Sequence, residues 1–286
     1  MEPLGLIAGE GVFPLLVAQG AKAAGRRVVC CAFAGHAWPE LRQHCDEFRW
    51  VGLARVGSWV RCLRRAGCRD AIMVGRVAKT EMYDPWRYFR YIPDLTTVRL
   101  FYRILRSDKR PQTLLQALVD RLATGGITLI DSTTYTPDHL VTVGVLTHRQ
   151  PTPAQWADIR YGWEVCQTIS RLDIGQSIAV RDREVIAVEA LEGTNAMIDR
   201  AGKLCRGTGG WVMLKAANAR QDMRVDVPTI GTTTIEKLAA AGAGCVVLEP
   251  GKTVILERSK VLELAERYKI AIVGYAGEPG GAGAKG

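Results

Sequence analysis

Apolar positions change their period along the chain. LGLIAGEG (4–11) is a short apolar run ending in glycines, FPLLVAQGAKAAG (13–25) carries apolar residues at helical spacing and stops at Gly25, and RRVVCCAF (26–33) is apolar again. Unbroken apolar runs suit strands buried on both faces, and a helix between two of them is the crossover that parallel strands need. The opening is therefore β–glycine turn–α–β. Ser58 is placed to cap a helix through Arg65, closed by Gly67, ahead of a strand DAIMVG (70–75). Pro111 suits a first helical turn, the amphipathic TLLQALVDRLATGG follows it, and ITLID (127–131) reads as the next strand. The pattern predicts a doubly wound α/β domain with a parallel sheet over residues 1–134.

The second half has another texture. PTPAQWADIRYGWEVCQTI (151–169) predicts a helix entered through two prolines, and SIAV and EVIAVEA joined at RDR predict a hairpin. A helix starts near Thr194 and ends by Gly207, and GWVMLKAA (210–217) is a strand. In QDMRVDVPTIG (221–231), Asp222, Arg224 and Asp226 alternate with Met223, Val225 and Val227. Period-two alternation predicts a strand with an acid–base–acid row on one face, stopped by Pro228 and a turn at Gly231. A helix (TTIEKLAAAGAG), strands CVVLEPG and KTVILE, a helix (RSKVLELAERYK) and a last strand IAIVGY complete a mixed α+β domain over 151–275. Residues 135–150 are the expected linker, and 276–286, rich in glycine, the expected disordered tail.

Composition narrows the classes. The 286 residues suffice for two domains, and 48% are hydrophobic, so the chain is globular. No uninterrupted apolar run reaches the roughly eighteen residues of a spanning helix, and the start lacks a basic, cleavable leader. The eight cysteines show no CxxC spacing and read as free thiols in a reducing compartment, the cytoplasm. Net charge is +9, concentrated with aromatic residues between Arg76 and Arg110. Cations among aromatics suit an anionic membrane surface, a nucleic acid or a phosphate-bearing ligand, and a solvated, partly buried helical excursion would look the same.

Three places carry candidate chemistry. The turn Gly9–Gly11 between strand and helix could offer N–H groups to a phosphate, although GxGxxG is incomplete because Pro14 stands at the last glycine, which disfavours a nicotinamide dinucleotide. Glu189 and Glu192 lie at a strand end beside a helix start at Thr194, where oxygen ligands could hold a hard divalent cation; a surface charge and a simple cap are the plain alternative. Asp222 and Asp226 could join them around Mg²⁺ while Arg224 contacts a phosphate, or the row could be a self-satisfied surface feature. The four histidines are dispersed, and no nucleophile–histidine arrangement points to acyl transfer.

LGLIAGEGVFP, IMVGRV, WADIRYGWEV, RLDIGQSIAVRDREVIAVEALEGTNAM, DRAGKLCR, QDMRVDVPTIG and LEPGKTVILE together resemble the UDP-2,3-diacylglucosamine pyrophosphatases of lipid A biosynthesis, the LpxI type, up to about residue 274. The resemblance implies a Rossmann-like N-terminal domain and a distinctive C-terminal one. It also implies divalent-metal-dependent hydrolysis of UDP-2,3-diacylglucosamine to 2,3-diacylglucosamine 1-phosphate (lipid X) and UMP, with water attacking the sugar-side phosphorus. Glu189, Glu192, Asp222 and Asp226 are the matching acids and expected metal ligands, with Asp222 or Asp226 catalytic and Arg224 steadying a phosphate. Gly9, Gly11, Thr194 and Lys215 are the expected substrate or phosphate contacts, in a site between the domains. The family's EGTD has Asn195 at its last position here, and an acid expected near Asp108 is missing. A lipid-linked UDP-sugar substrate then gives the basic aromatic segment a purpose, peripheral docking at the cytoplasmic face of the inner membrane. No nucleic-acid partner is expected, and a homodimer is allowed. A nucleotide-dependent oxidoreductase and a basic nucleic-acid-binding protein are the rival readings.

Overall fold

A computed structural model describes residues 2–77, 92–107, 111–206, 208–217 and 222–277. The chain forms two compact units: residues 1–137 with Met223–Asp226, and residues 138–222 with 227–286.

The N-terminal unit begins as the apolar pattern predicts. Strands β1 (Leu4–Ala8) and β2 (Val28–Phe33) flank helix α1 (Phe13–Ala23), and β3 (Glu47–Val51), α2 (Val56–Arg65) and β4 (Asp70–Val74) follow. Helices α3 (Leu95–Ser107) and α4 (Pro111–Thr124) precede β5 (Thr128–Leu129), shorter than the five residues of ITLID. The five strands are all parallel in the order β3-β2-β1-β4-β5. This is the doubly wound, Rossmann-like arrangement, in which strand order reverses beside β1. Residues of α2 and α4, among them Trp59, Leu63, Val119 and Leu122, bury one sheet face with Ile7, Val29 and Cys31.

Ser58 is not the cap of α2. The helix starts at Val56 after Arg55, whose side chain makes no capping bond. Its first-turn amides are taken from afar: Val56 N–H donates to Thr97 Oγ1 (3.1 Å) and Ser58 N–H to Asp94 Oδ2 (3.2 Å).

The C-terminal unit takes in most of the expected linker. Strand β6 (Gly144–Val145) pairs antiparallel with the last strand, and Leu140 forms an isolated bridge with Val254, so the stretch is anchored to the C-terminal unit. Helix α5 (Pro153–Arg171) opens with a capping box between Thr152 and Gln155. The hairpin β7 (Ser177–Arg181)–β8 (Glu184–Val188) turns through Asp182 and Arg183, both at positive φ (52° and 58°), as a two-residue type I′ connection requires. Next come α6 (Thr194–Leu204), β9 (Trp211–Lys215), β10 (Thr229–Ile230), α7 (Thr232–Ala240), β11 (Ala243–Leu248), β12 (Val254–Ile255), α8 (Arg258–Arg267) and β13 (Ala271–Gly274). The six-stranded mixed sheet runs β6-β13-β11-β9-β7-β8, and β10 pairs with β12 in a small separate sheet. Successive strand residues alternate faces: Ile178, Val212, Leu214 and Val247 pack with Ile159, Trp163 and Cys166 of α5, whereas Ala179, Met213 and Val246 pack with residues of α6–α8.

The alternating stretch at 222–227 is not a strand. Met223–Val225 form a turn, and pairing resumes only beyond Pro228, at β10. Its backbone is committed elsewhere, since the Met223 carbonyl accepts both the N–H (3.1 Å) and the hydroxyl (2.7 Å) of Ser132. Val225 packs against the N-terminal core. Residues 78–91 and 108–110 of the basic aromatic segment, Asp108 among them, and the tail from residue 278 lie outside the described residues; α3 is the main described part of that segment.

Candidate functional site

In the C-terminal unit one edge of the mixed sheet gathers polar side chains. Ser177 opens β7, Glu189 follows β8, and Lys215 closes β9; Ser177 is registered with Lys215, and the Ile178–Val188 pair places it opposite Glu189. Residues opposite one another share a face, here the face covered by α6. The start of α6 lies over this row. Thr194 Oγ1 donates to Glu189 Oε1 (2.9 Å) and accepts from Lys215 Nζ (3.1 Å). Gly193, before Thr194, adopts φ 84° and provides no side-chain cap to the helix. A glycine tolerates that conformation without strain.

The row is buried. Lys215 is 7% exposed and Ser177 fully covered. Among the described residues neither Ser177 Oγ nor Glu189 Oε2 meets a hydrogen-bond partner. Buried polar atoms are nearly always satisfied, so two orphans on one row leave hydrogen-bonding capacity there that the described residues do not use. Beside it, Glu249, just past β11, accepts from Ala217 N–H (2.8 Å) and pairs with Lys252 (2.6 Å). Cation, hydroxyl, carboxylate and an uncapped helix start suit a phosphorylated ligand.

The other sequence candidates are placed differently. The Glu192 carboxylate is held by Arg200 (2.9 Å). Asp222 belongs to the C-terminal unit, whereas Arg224 and Asp226 belong to the N-terminal one, with Asp226 exposed. The strand expected to align Asp222, Arg224 and Asp226 on one face is absent, because residues 223–225 form a turn. No three His, Cys, Asp or Glu side chains among the described residues converge as a metal-holding group. Asn195 is the second residue of α6.

At the N-terminal turn, Gly9 has a packing reason to be glycine: a Cβ there would lie 2.8 Å from the Arg76 carbonyl. Its N–H donates to Val74, and Glu10 N–H to Arg76 (2.9 Å), so those amides are already engaged. Gly11, at φ 112°, faces open space. Ser177 escaped the sequence reading. Its signal was available in the hairpin, since counting back across the β7–β8 register from Glu189 reaches it, but nothing in the sequence announces that its hydroxyl is left unpaired.

Fold and site together define a class: a two-domain α/β protein whose polar row, at a sheet edge under a helix start, suits phosphate chemistry. The chain belongs to the LpxI family. The models of the LpxI N-terminal domain and the LpxI C-terminal domain match residues 3–139 and 142–273. It is also 31% identical over 283 residues to a protein of Caulobacter vibrioides (strain ATCC 19089 / CIP 103742 / CB 15) named UDP-2,3-diacylglucosamine pyrophosphatase LpxI, covering 96% of this chain and 98% of that one.

Proposed function

We propose that this protein hydrolyses the pyrophosphate of UDP-2,3-diacylglucosamine to 2,3-diacylglucosamine 1-phosphate and UMP, a step of lipid A biosynthesis. The observation that carries the reading is the end-to-end match to the named relative across both domains. The buried row supports it chemically. Lys215 would neutralise a phosphate oxygen, Thr194 would hold the ammonium and the Glu189 carboxylate in place, and the first amides of α6 would face the same anion. Ser177 would donate its unpaired hydroxyl to a second oxygen.

The donor set also fits a divalent cation such as Mg²⁺ in one respect: Glu189 Oε2 is a buried carboxylate oxygen with no partner among the described residues. Glu189, with Asp222 of the same unit, would hold it. Bound there, the cation would offset the charge growing on the leaving phosphate and make a water more acidic. Asp222 and Asp226 remain the two candidates for the base that takes the proton of the attacking water, and Arg224 the candidate for steadying a phosphate; Glu192 is the weaker ligand candidate because Arg200 already holds it. No helix among the described residues is long and apolar enough to cross a membrane. We place the protein in the cytoplasm, in peripheral contact with the inner-membrane surface where such a substrate resides.

The test is UMP release from UDP-2,3-diacylglucosamine, with Mg²⁺ and with EDTA, by the wild type and by Asp222→Ala and Asp226→Ala. The expected result is metal-dependent release, lowered by about 10²-fold or more in the variant that lacks the base. Folded protein that releases no UMP under any condition would overturn the reading.

A further inference from the structure

Strand β2 carries two cysteines in succession, and each meets a second thiol on its own face of the N-terminal sheet. Cys30 meets Cys45, just past the short helix Pro39–His44, and Cys31 meets Cys62 of α2. Cys31 lies fully buried with Trp59, Val60 and Leu63, and half-buried Cys62 packs against that same core. A strand and a helix thus bring two thiols together, one sealed in the core and the other within reach of solvent.

The surroundings give the two thiols different chemistry. The Cys31 S–H donates to the Cys62 sulfur, an arrangement that favours the thiolate at Cys62 and keeps Cys31 protonated. Exposed Arg49 of β3 and Arg65 of α2 add positive charge at Cys62. Arg49 is registered directly beside Cys31 in the β2–β3 pairing and so shares its face. Glu47 opposes the thiolate, but its carboxylate is paired with Arg27 (3.0 Å). The remaining thiol of this core, Cys68, is pushed up to about 11 by burial. At the other pair, Asp46 stands next to Cys45, opposes a thiolate there and engages Lys22 (3.2 Å). Cys62 is therefore the nucleophile of the set, with Cys31 held against it as a resolving thiol.

We propose that Cys31 and Cys62 are a reversible oxidation site, at which a hydroperoxide converts the thiol pair into a disulfide that ties α2 to β2. The Cys62 thiolate attacks a peroxide oxygen and the O–O bond breaks. Cys62 becomes a sulfenic acid, and the departing oxygen takes a proton from water. The Cys31 sulfur then attacks the Cys62 sulfur, the S–O bond breaks, and the Cys31 proton leaves with the hydroxide as water. Two thiols lose two electrons in all, and one hydroperoxide gains them. A thiol reductant reverses the link. The loop it closes contains β3, the edge strand of the sheet. The inference is independent of the proposed function.

The experiment treats reduced full-length protein with hydrogen peroxide, blocks the remaining thiols with iodoacetamide and digests with trypsin without reduction. It compares the wild type, Cys30→Ala and Cys31→Ala. Peptides 62–64, 66–69 and 43–49 each hold one cysteine, Cys62, Cys68 and Cys45, whereas 28–42 holds both Cys30 and Cys31. We expect wild type and Cys30→Ala to link 62–64 to 28–42, and dithiothreitol to undo the link. Cys31→Ala should lose that link by at least about tenfold and accumulate a dimedone-reactive sulfenic acid at Cys62 instead. Should Cys31→Ala fail to fold, the Cys30→Ala digest still decides, because Cys31 is then the one cysteine in 28–42. A link from Cys62 to Cys68, a Cys30–Cys45 link that forms first, or a link between two copies of the chain overturns the proposal. So does a wild type whose Cys62 stays a thiol or reaches the sulfinic acid without linking.

Discussion

Cys30 and Cys31 are adjacent on β2 and therefore point to opposite faces of the sheet, and each meets a second thiol, Cys45 and Cys62 respectively. The hydrogen bond with Cys31 draws the Cys62 pKa down to about 7; burial opposes the shift, and Arg49 and Arg65 assist it. Burial instead pushes Cys166 up to about 12 and Cys68 up to about 11, and it raises Cys245 as well. The thiolate is the reactive form, so a lowered pKa means more nucleophile at a given pH. Iodoacetamide labelling followed by peptide mapping at about pH 8 is expected to mark Cys62 first, with a rate rising as pH passes through about 7. Cys166 and Cys245 should resist labelling until the protein unfolds, and labelling of Cys166 ahead of Cys62 would contradict the assignment. That all eight cysteines are free was legible from their spacing. Which thiols pair was not, because the partners are brought together by sheet and helix packing rather than by a local motif.

At the scale of elements, short-range chemistry was read well wherever the partners lie nearby in sequence. The α5 start, the type I′ hairpin and the β–turn–α–β opening each depend on residues within a few positions of one another. The start of α2 does not. Asp94 Oδ2 accepts from Ser58 N–H, while Asp94 Oδ1 accepts from the N–H and hydroxyl of Thr97 in the first turn of α3 (both 2.9 Å). One carboxylate therefore serves two helix starts, and Thr97 Oγ1 passes the arrangement on to Val56. Asp94→Ala is expected to cost about 2 kcal/mol in a urea melt, the upper end for a lost cap, and Ser58→Ala only a few tenths. Equal losses would return the cap to Ser58. The stretch at 222–227 failed as a strand for a related reason. Alternation shows that a strand is geometrically suitable, but a strand also needs a partner with free backbone groups, and here the Met223 carbonyl is used by Ser132.

The same stretch is the main surprise at the scale of the molecule. Met223–Asp226, deep in the C-terminal sequence, belongs to the N-terminal unit and adds Val225 to its core. Val225→Asp is therefore expected to destabilise the N-terminal unit, lowering hydrogen-exchange protection of β2 and β4 amides by about 1–2 kcal/mol while leaving β9 and β11 unchanged. Loss of protection in β9 and β11 instead would place Val225 in the other core. The expected linker shows the opposite error: residues 138–150, whose apolar run Leu140–Leu146 is flanked by polar residues, contribute a strand and a bridge to the C-terminal unit.

The sequence by itself determined the two α/β halves, the parallel core strands and the family, because apolar periodicity and long matching motifs are properties of residues close together along the chain. It also singled out Glu189, Thr194 and Lys215 as candidates. The tertiary structure alone decided that these three meet on one buried row with Ser177, that Glu192 is taken by Arg200, and that Asp222 and Asp226 fall in different units. Whether two side chains meet depends on sheet register, on which face a strand turns inward and on where a loop's backbone bonds are spent, and those are settled by partners tens of residues away.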